Sequence, residues 1–551
     1  MITTSAAFVI IVELCSVLAG GWLLSSYLLA VYSTKKTKLD RFFGPLERAI
    51  YYLGGVNQYE EMGWKTYLRA LLALNAVEAA IGFLILMFQG SLPLNPMHAP
   101  DMSWSLSLNT ALSFSSNTDL QHYNGGSALS YLSQMAVIQF LQFTSAATGL
   151  SVGVAVFRGL IGKTKGLGNF YVDYTRTIVR VLIPLSGVAA LILIFLGVPQ
   201  SLNGYTIFKT LEIGGSEVVK SGPIASLTSI MQLGTNGGGY FGSNAANPLA
   251  NPSQITNLFE LALMMLIPTS LPFLFGRMLG RMKEGRTIIL ASYTLYFIDL
   301  VIAFIPISNI GQGMEVRFGA ASSVFWTVTT TAFTTGSVNA SLSAFNPLVI
   351  LAALFGMIIQ ATPGGIGVGA MYMMMYVIMT VFIVGLMAGR TPEYLGTKIS
   401  ADDVKLAIVA FLSHPIIILV PTVTAFAIGA QTAVGLGTNS LSFTQILYEY
   451  TSAAANNGSD FLGSAGNTAF FNISTGIVMW LGRFIPIAVM LAIAGNMVQR
   501  KRYASEALRT DTLAFAAVLV VAIFILAVLA FFPFLAIGPI LSYLEGFKNG
   551  F

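Results

Sequence analysis

Four polar stretches rich in Ser, Thr, Asn or Gly interrupt an otherwise apolar chain: 113-SFSSNTDLQ-121, 233-LGTNGGGY-240, 331-TAFTTGSVN-339 and 453-AAANNGSD-460. Each one follows a short amphipathic segment and precedes a long apolar one. When Asn117, Gly237, Gly336 and Gly458 are aligned, the copies lie 120, 99 and 122 residues apart. Spacing this regular predicts four pseudo-repeats of a membrane helix, a pore half-helix, a loop and a second membrane helix. A single such stretch would be typical of an extracellular turn.

The surrounding sequence is that of a membrane protein. Of the 551 residues, 9% are charged and 55% are hydrophobic, and the mean hydropathy is +0.75, whereas soluble domains carry about 25% charged residues. This composition excludes a cytosolic enzyme and a nucleic-acid-binding protein, and the single cysteine, Cys15, excludes an internal disulfide. Because a helix needs about 20 apolar residues to cross a bilayer, we predict an all-α polytopic fold. Its ten spans lie near residues 6–31, 66–90, 128–157, 174–198, 254–277, 287–309, 345–388, 404–429, 469–498 and 512–541.

The lysine and arginine residues predict how these spans are oriented. They concentrate in the loops after the first, third, fifth, seventh and ninth spans; Lys35 and Lys36 lie in the first of these loops. Because basic loops stay in the cytoplasm, we expect both chain termini on the extracytoplasmic side. The run Gly162-Lys163-Thr164 resembles the end of a phosphate-binding loop, but Phe157 occupies the position of its first glycine. We therefore expect that this chain does not hydrolyse ATP by itself.

The four loops have the composition of a cation filter. In channels, rings of backbone carbonyl oxygens from four loops replace the water shell of a potassium ion, and glycine permits the backbone conformations that turn successive carbonyls toward one axis. Ser, Thr and Asn add oxygen atoms and hold the loop by local hydrogen bonds. Asp119 and Asp460 follow two of the loops, where they either concentrate cations at an outer mouth or are solvated turn residues. The histidines, His98, His122 and His414, show no metal-ligand spacing.

Several motifs outside these loops resemble the KdpA family, the potassium-binding, channel-like subunits of the Kdp potassium-transporting complex. The most specific motif is 389-GRTPEYLG-396, and 92-LPLNP-96, 168-GNF-170, 317-RFG-319 and 456-NNGS-459 agree with it. The resemblance covers nearly the full length of the chain. It implies a potassium-transporter fold of four pseudo-repeats with an extra helix at each end.

The resemblance also implies a function. The chain is expected to be the potassium-binding and translocating subunit of an ATP-driven, high-affinity uptake pump in a prokaryotic cell (inner) membrane. Potassium is then the transported ion, and no organic cofactor is expected. The implied partners are a P-type ATPase subunit (KdpB-like) that hydrolyses ATP, a KdpC-like stabilising subunit, a small single-span KdpF-like subunit and membrane lipids. The ion is expected to pass from the filter through an inter-subunit tunnel to the ATPase subunit.

The site residues of the family carry over to this chain by position. Gln121 matches a glutamine beside the first filter segment, and Arg483 matches an arginine below the filter, where its charge would oppose passive leak. A buried pair between Arg483 and an intramembrane carboxylate is the alternative. The implied filter residues are Ser115, Ser116, Asn117, Thr118, Thr235, Asn236, Gly237, Gly238, Thr334, Thr335, Gly336, Ser337, Asn456, Asn457, Gly458 and Ser459.

The seventh apolar stretch contains a predicted break at 362-TPGGIGVG-369, because proline and clustered glycines interrupt a helix. The family has a gating loop in this third repeat, although a kink that serves only packing is an alternative. The sequence departs from the family here, since Gln360 stands in place of a glutamate and Pro363 in place of an aromatic residue; Asp119 likewise replaces an asparagine. The gate candidates are Gln360, Pro363, Gly364, Gly365, Gly367 and Gly369.

These expectations divide the chain into six parts. Residues 1–60 hold the first span and a basic cytoplasmic loop, residues 506–551 hold the last span, and the four pore repeats occupy 61–160, 161–280, 281–395 (with the broken second helix) and 396–505. One alternative function is a stand-alone potassium channel or ion-coupled symporter of the same superfamily. A membrane enzyme acting on lipid would need clustered histidines or acids at one membrane face, which the sequence does not show.

Overall fold

The computed structural model describes residues 4–33, 37–38, 40–210, 215–306, 314, 316–502 and 508–548; the predicted loop residues Lys35 and Lys36 lie outside these. Within them, ten helices are long and apolar enough to cross a membrane, and each overlaps one predicted span. The all-α polytopic class is therefore confirmed. The ten are α1 (Thr4–Val31), α3 (Trp64–Met87), α5 (Tyr131–Ile161), α6 (Phe170–Phe195), α8 (Gln254–Leu279), α9 (Met282–Phe304), α12 (Val368–Met387), α13 (Ala401–Ala427), α15 (Ala469–Val498) and α16 (Leu513–Gly546).

Six shorter helices complete the numbering. One is amphipathic, four are half-helices that follow spans α3, α6, α9 and α13, and one precedes α12. They are α2 (Asp40–Leu53), α4 (Trp104–Ser115), α7 (Ile224–Leu233), α10 (Gly319–Ala332), α11 (Pro347–Ile359) and α14 (Ser440–Ala454). Two antiparallel hairpins pair β1 (Tyr205–Lys209) with β2 (Ser216–Lys220), and β3 (Glu393–Tyr394) with β4 (Thr397–Lys398). Single turns occupy Gln89–Ser91, Gly125–Ala128, Asn244–Ala246, Leu342–Ala344, Ala430–Ala433 and Gly463–Gly466.

The predicted break in the seventh apolar stretch is present. Helix α11 ends at Ile359, Gln360 takes a left-handed conformation (φ 55°), and α12 begins at Val368. Gly364 and Gly367 also have positive φ values, of 76° and 75°. Proline cannot donate a helical hydrogen bond, and residues with positive φ cannot continue a right-handed helix. Two helices with a non-helical link therefore replace the single long span.

The five loops predicted to be cytoplasmic lie on one face of the molecule, because hydrogen bonds join them directly. Loop pairs from distant parts of the sequence are connected in this way, which is possible only if the spans between them run in alternating directions. The bonds run from Gly166 N to Glu61 Oε2 (2.7 Å), from Lys163 Nζ to Met278 O (3.1 Å), and from Arg502 to Leu395 O (3.2 Å) and Leu160 O (2.6 Å).

The spans differ in how deeply they lie in the molecule. Helix α5 is buried over nearly all of its length, and α15 packs against the half-helices α4 and α14 as well as against α5 and α13. Close approach is possible because glycines face other backbones, as where Gly482 meets Ala454. Helices α1 and α16 are mostly exposed. The interior is thus built from α5, α15 and the half-helices, with α1 and α16 at the periphery.

We predict that Arg158 is important for stability. Its guanidinium donates to both carboxylate oxygens of Asp173 (2.6 and 2.9 Å), and this carboxylate also accepts a hydrogen bond from Tyr67. Replacing Arg158 with methionine leaves a buried, uncompensated carboxylate, which costs about 3–5 kcal/mol. Thermal unfolding in detergent should show a clearly lower melting temperature.

The matched control is Lys405→Met. Lys405 pairs with Asp402 at 3.4 Å, but the two side chains are 77% and 79% exposed, and such surface pairs contribute about 0–1 kcal/mol. Equal melting temperatures for the two variants would contradict the stabilising role of Arg158.

Candidate ion-binding site

The half-helices α4, α7, α10 and α14 all end in the same way. The second residue beyond each helix takes a left-handed conformation, and the amide of the next residue donates back to the carbonyl five positions earlier. This hydrogen bond closes the helix and turns the chain sharply, as left-handed C-caps do. The left-handed residues are Asn117 (φ 63°), Thr235 (50°), Thr334 (44°) and Asn456 (54°). The returning bonds are Thr118 N to Ser113 O (3.0 Å), Asn236 N to Met231 O (2.8 Å), Thr335 N to Thr330 O (2.7 Å) and Asn457 N to Ser452 O (2.9 Å).

This shared geometry corrects the predicted alignment of the first loop. The structure places Asp119, not Asn117, level with Gly237, Gly336 and Gly458, so the alignment on Asn117 is wrong by two residues. Sequence alone missed the shift because only three of the four positions are glycine. Residues 117–120 of the first loop therefore correspond to 235–238 of the second. We name the loops by these ranges: loop 1 (116–121), loop 2 (234–239), loop 3 (333–338) and loop 4 (455–460).

With this alignment, two of the predicted filter residues precede the positions at which the four loops correspond. Ser115 is the last residue of α4, and its hydroxyl donates to Ala111 O (2.7 Å) within that helix. The Ser116 hydroxyl lies 2.8 Å from the Thr118 hydroxyl. Both serines are buried. They support the start of loop 1 and do not take part in the contacts between the loops described next.

The main chains of the four loops meet at one place. A Cβ atom on Gly237 would overlap Thr118 O and Asn457 O and would lie 2.6 Å from Gly458 Cα. A Cβ on Gly336 would overlap Asn457 O, and a Cβ on Gly458 would overlap Thr118 O. Carbonyl oxygens of loops 1 and 4 therefore occupy the space beside three glycines. Only glycine permits this approach.

Amide side chains hold the loops against each other. Asn117 Nδ2 donates to Thr235 O (2.7 Å), Asn456 Nδ2 donates to Thr118 Oγ1 (2.9 Å), and Asn457 Nδ2 donates to Thr330 O (2.9 Å). Each bond joins two different repeats or anchors a loop to a half-helix. These side chains therefore bind protein atoms and hold the four loops in place.

The last predicted residues of loops 3 and 4 are anchored by aromatic side chains. Trp326 Nε1 donates to Ser337 O (2.7 Å), and the hydroxyls of Tyr448 and Ser459 lie 2.7 Å apart. Asn236, another predicted filter residue, donates from its Nδ2 to Ile230 O (3.1 Å). The Thr335 hydroxyl is buried and has no hydrogen-bond partner in the described part of the chain. The loops are thus supported from outside the ring.

Gln121 joins loops 1 and 2 through two hydrogen bonds. Its Nε2 donates to Gly239 O (3.1 Å) and its Oε1 accepts from Gly239 N (3.0 Å). From helix α5, Gln142 Nε2 donates to Gly238 O (2.7 Å). No sequence motif marks Gln142, although a glutamine inside a membrane span is an available signal. Two glutamines thus fix the backbone of loop 2.

Asp119 is not a solvated turn residue, as one alternative had it. It lies in loop 1 itself, is fully buried, and has φ 58°. Both carboxylate oxygens are buried and accept no hydrogen bond from the described residues. Asp460, by contrast, is partly exposed, and its Oδ1 caps the amides of Leu462 (2.8 Å) and Gly463 (2.7 Å). Of these two acidic residues, Asp119 is therefore the one whose carboxyl group is buried among the loops.

The helix break packs directly against loops 2 and 3. Ile366 N donates to Thr235 Oγ1 (3.1 Å), and Gly364 N donates to Ala332 O (2.8 Å) at the end of α10. Gly365 has no room for a Cβ because Thr334 Oγ1 occupies that position. The break therefore lies on the side of the ring that faces the basic loops.

The other gate candidates pack within and around this break. Gly369 lies against Pro363 O and Gly364, while Gly367 lies against Gly149 O of α5. Gln360 Nε2 faces the imidazole of His414 on α13, at 3.1 Å from Nδ1 and 2.9 Å from Nε2. A neutral glutamine can form this hydrogen bond without placing a charge inside the protein. This is compatible with Gln360 standing where a glutamate was expected.

Arg483 lies one helical turn beyond the level of loop 4. Asn456 Nδ2 donates to Met479 O (2.9 Å), and Arg483 follows four residues later on α15. Its guanidinium donates to Ser145 O (3.0 Å) and packs against Gly149, next to Ile366. In the described part of the chain Arg483 forms no ion pair, so the alternative of a buried pair is wrong.

A second polar cluster lies on the outer side of the ring. His122 follows loop 1, Glu449 lies on α14, and Asp460 ends loop 4; one ligand atom from each lies within 4.8 Å of the others. The absence of metal-ligand spacing in the sequence did not reveal this cluster, because the acidic neighbours of His122 are more than 300 residues away along the chain. Burial lowers the pKa of the His122 imidazole, but Glu449 and Asp460 together raise it above the usual value for histidine.

We predict that the two-bond link of Gln121 is required for the stability of loops 1 and 2. Gln121→Ala leaves a buried N–H and a buried C=O of Gly239 unpaired, and each unpaired group costs about 1–3 kcal/mol. The variant should unfold at a lower temperature and exchange amide hydrogens of residues 237–241 faster.

The control for Gln121 is Gln200→Ala. Gln200 makes the same pair of bonds, donating to Ser226 Oγ (3.1 Å) and accepting from Ser226 N (3.0 Å), but it is exposed to solvent. Water replaces both bonds there, so we expect little change. Equal effects of the two variants would contradict the special role of Gln121.

Comparison with known proteins identifies the family of the chain. Residues 10–544 match the model of the KdpA family, described as the potassium-transporting ATPase A subunit. The chain is 43% identical to the potassium-transporting ATPase potassium-binding subunit of Caldanaerobacter subterraneus subsp. tengcongensis, over 95% of this chain and 96% of the relative. Relatives with the same name are 44% identical in Geobacillus kaustophilus (93% of this chain, 94% of the relative) and 43% in Alicyclobacillus acidocaldarius (98% and 100%). The chain belongs to the KdpA family of potassium-transporting ATPase A subunits.

Proposed function

We propose that this chain binds potassium at the ring formed by loops 1–4 and translocates it as a subunit of an ATP-driven, high-affinity uptake pump. The single observation that carries the proposal is the overlap of Thr118 O and Asn457 O with the positions of absent Cβ atoms on Gly237, Gly336 and Gly458. Backbone oxygens concentrated in this way suit a cation that has lost its water shell. The names of the curated relatives support potassium as that cation.

In this mechanism the amide side chains keep the ring at a fixed size. Asn117 and Asn456 donate to neighbouring loops and Asn457 donates to half-helix α10, so their hydrogen bonds resist both collapse and widening. The Asp119 carboxyl group adds two buried oxygen atoms at the ring, and a cation bound beside it favours its ionised form. The four predicted repeats, 61–160, 161–280, 281–395 and 396–505, each contribute one loop to this ring, although the repeat boundaries themselves stay a prediction.

We further propose that the ion does not pass freely from the ring to the cytoplasm. The helix break at 360–367 closes the path under loops 2 and 3, and Arg483 places a positive charge beside it. A fixed positive charge in a low-dielectric path repels a cation strongly. Release then requires the gate candidates Gln360, Pro363, Gly364, Gly365, Gly367 and Gly369 to rearrange, with the ion handed to a P-type ATPase subunit.

The remaining assignments follow from membership of the family. ATP is hydrolysed by the KdpB-like subunit, a KdpC-like subunit stabilises the assembly, and a single-span KdpF-like subunit and lipids contact the exposed helices. We place the chain in the prokaryotic inner membrane with both termini extracytoplasmic, because the basic loops share one face. The alternative, a stand-alone potassium channel or symporter, predicts rapid ATP-independent potassium flux by the purified chain in liposomes. Such flux would overturn the pump-subunit proposal.

We predict that Gly336→Ala weakens potassium binding. The added Cβ overlaps Asn457 O, and overpacking of this kind costs about 1–3 kcal/mol. If this free energy destabilises the ion-bound form of the ring relative to the ion-free form, potassium binds more weakly. The potassium concentration that half-stimulates the ATPase activity of the assembled complex then rises about 5- to 150-fold.

The control for Gly336 is Gly435→Ala. Gly435 has a similar backbone conformation (φ 78°, against 85° at Gly336), but no atom lies within 4 Å of its Cβ position. Both variants therefore share the backbone strain, and only Gly336→Ala adds the clash. An unchanged potassium dependence in Gly336→Ala would refute the filter assignment.

We predict that Arg483→Gln increases passive potassium leak. Glutamine retains a hydrogen-bond donor for Ser145 O but removes the positive charge beside the path. Proteoliposomes that contain the complex, without ATP, should lose potassium faster than the wild type, with half-stimulation by potassium changed by less than about threefold. Arg509→Gln, at a 75% exposed position in a basic loop, is the control. Loss of potassium stimulation in Arg483→Gln would contradict its placement outside the ring.

A further inference from the structure

His122, Glu449 and Asp460 come from three separate elements and converge on the outer side of the ring. His122 Nε2 lies 3.2 Å from Glu449 Oε1, and one ligand atom from each of the three residues lies within 4.8 Å of the others. His122 and Glu449 are fully buried, while Asp460 is partly exposed, so the cluster has one edge at the surface. Asp460 Oδ2 is itself buried and accepts no hydrogen bond from the described residues.

The imidazole is held in one orientation by a hydrogen bond at its other nitrogen. His122 Nδ1 lies 2.8 Å from Asn472 Oδ1. Asn472 Nδ2 donates to Asn467 Oδ1 (2.9 Å), so Oδ1 is the acceptor and Nδ1 carries the hydrogen. Gly466 packs on the imidazole ring of His122, since a Cβ at Gly466 would lie 2.6 Å from His122 Cδ2. Nε2 is therefore directed at the two carboxylates.

Both carboxylates are anchored in the same manner, by one oxygen each. Glu449 Oε2 accepts from the amides of Phe461 (3.2 Å) and Leu462 (3.4 Å), and Asp460 Oδ1 accepts from those of Leu462 (2.8 Å) and Gly463 (2.7 Å). Their second oxygens, Glu449 Oε1 and Asp460 Oδ2, accept no hydrogen bond from a backbone amide of the described residues. Metal-ligating residues are usually fixed through their outer atoms in this way, which leaves the inner atoms for the ion.

We propose that His122, Glu449 and Asp460 bind a divalent transition-metal ion of the zinc class, joining loops 1 and 4 at the outer side of the ring. One imidazole nitrogen and two carboxylate oxygens suit zinc, with a fourth position for water, whereas magnesium and calcium prefer oxygen ligands alone. Ligands about 2.0–2.2 Å from a tetrahedral zinc ion lie roughly 3.3 Å apart. The His122–Glu449 distance of 3.2 Å already fits this value, and the Asp460 ligand oxygen lies within 4.8 Å of both partners, so that a small inward movement completes the site.

The binding step exchanges a proton for the metal. The hydrogen that His122 Nε2 shares with Glu449 Oε1 is released to water when Nε2 becomes a ligand. Two carboxylates and a neutral imidazole then balance the charge of a divalent ion. This site is separate from the potassium ring, because none of its three ligand side chains takes part in the contacts at Gly237, Gly336 and Gly458.

The test is zinc binding to the purified full-length chain in metal-free detergent buffer. Calorimetry with zinc chloride should show one equivalent bound, and the melting temperature should rise, because a ligand that binds only the folded state stabilises it. Magnesium chloride should do neither. His122→Gln and Asp460→Asn should each weaken zinc binding at least tenfold, and Asp460→Asn provides the measurement if His122→Gln does not fold.

The control is His98→Asn, which removes an exposed histidine with a left-handed backbone (φ 51°) that asparagine also adopts. Zinc binding should be unchanged in this variant. Absence of zinc binding in the wild type, wild-type affinity in both His122→Gln and Asp460→Asn, or loss of binding in His98→Asn would each overturn the proposal. The potassium dependence of the complex is measured separately and does not bear on these outcomes.

Discussion

The close approach of four main chains at Gly237, Gly336 and Gly458 is the constraint on which the rest of this structure depends. The loops can meet only where carbonyl oxygens take the place of side chains, and oxygens held together repel each other unless a cation is among them. Irregular backbone at membrane depth also needs protein on every side. The deeply buried helix α5, the central α15 and the outer amide network satisfy that need.

The ring is not symmetric, and its differences suggest how it works. Loop 1 carries the buried Asp119 where the other loops have glycine. Arg483 places a positive charge one turn further along α15. The break before α12 occurs in one repeat only and contacts loops 2 and 3. In the proposed function, the four loops together bind the ion, while single features on one side control its passage. This division fits a subunit that holds an ion until a partner drives its release.

Much of the fold could be read from composition and charge. Nine of the ten spans were predicted to within about five residues, because apolar length and basic loops report directly on the bilayer. The seventh, predicted as one stretch over 345–388, crosses as Val368–Met387 after a separate shorter helix. The break after Ile359 was predicted because proline and glycine act locally. The loop register was less secure. Asn117 and Asp119 differ by two positions, and only the hydrogen bond from Thr118 N to Ser113 O identifies the residue that follows the turn.

What depends on distant contacts could not be predicted in this way. The sequence by itself determines the number of spans, their orientation relative to one another and the polar loops between them, since hydrophobicity, charge and glycine content are properties of short segments. Tertiary structure alone brings His122 to Glu449, Gln142 to Gly238 and Arg483 to Ser145. Each of these pairs joins separate elements of the chain. Their geometry follows from the packing of helices, because no local pattern encodes which faces meet.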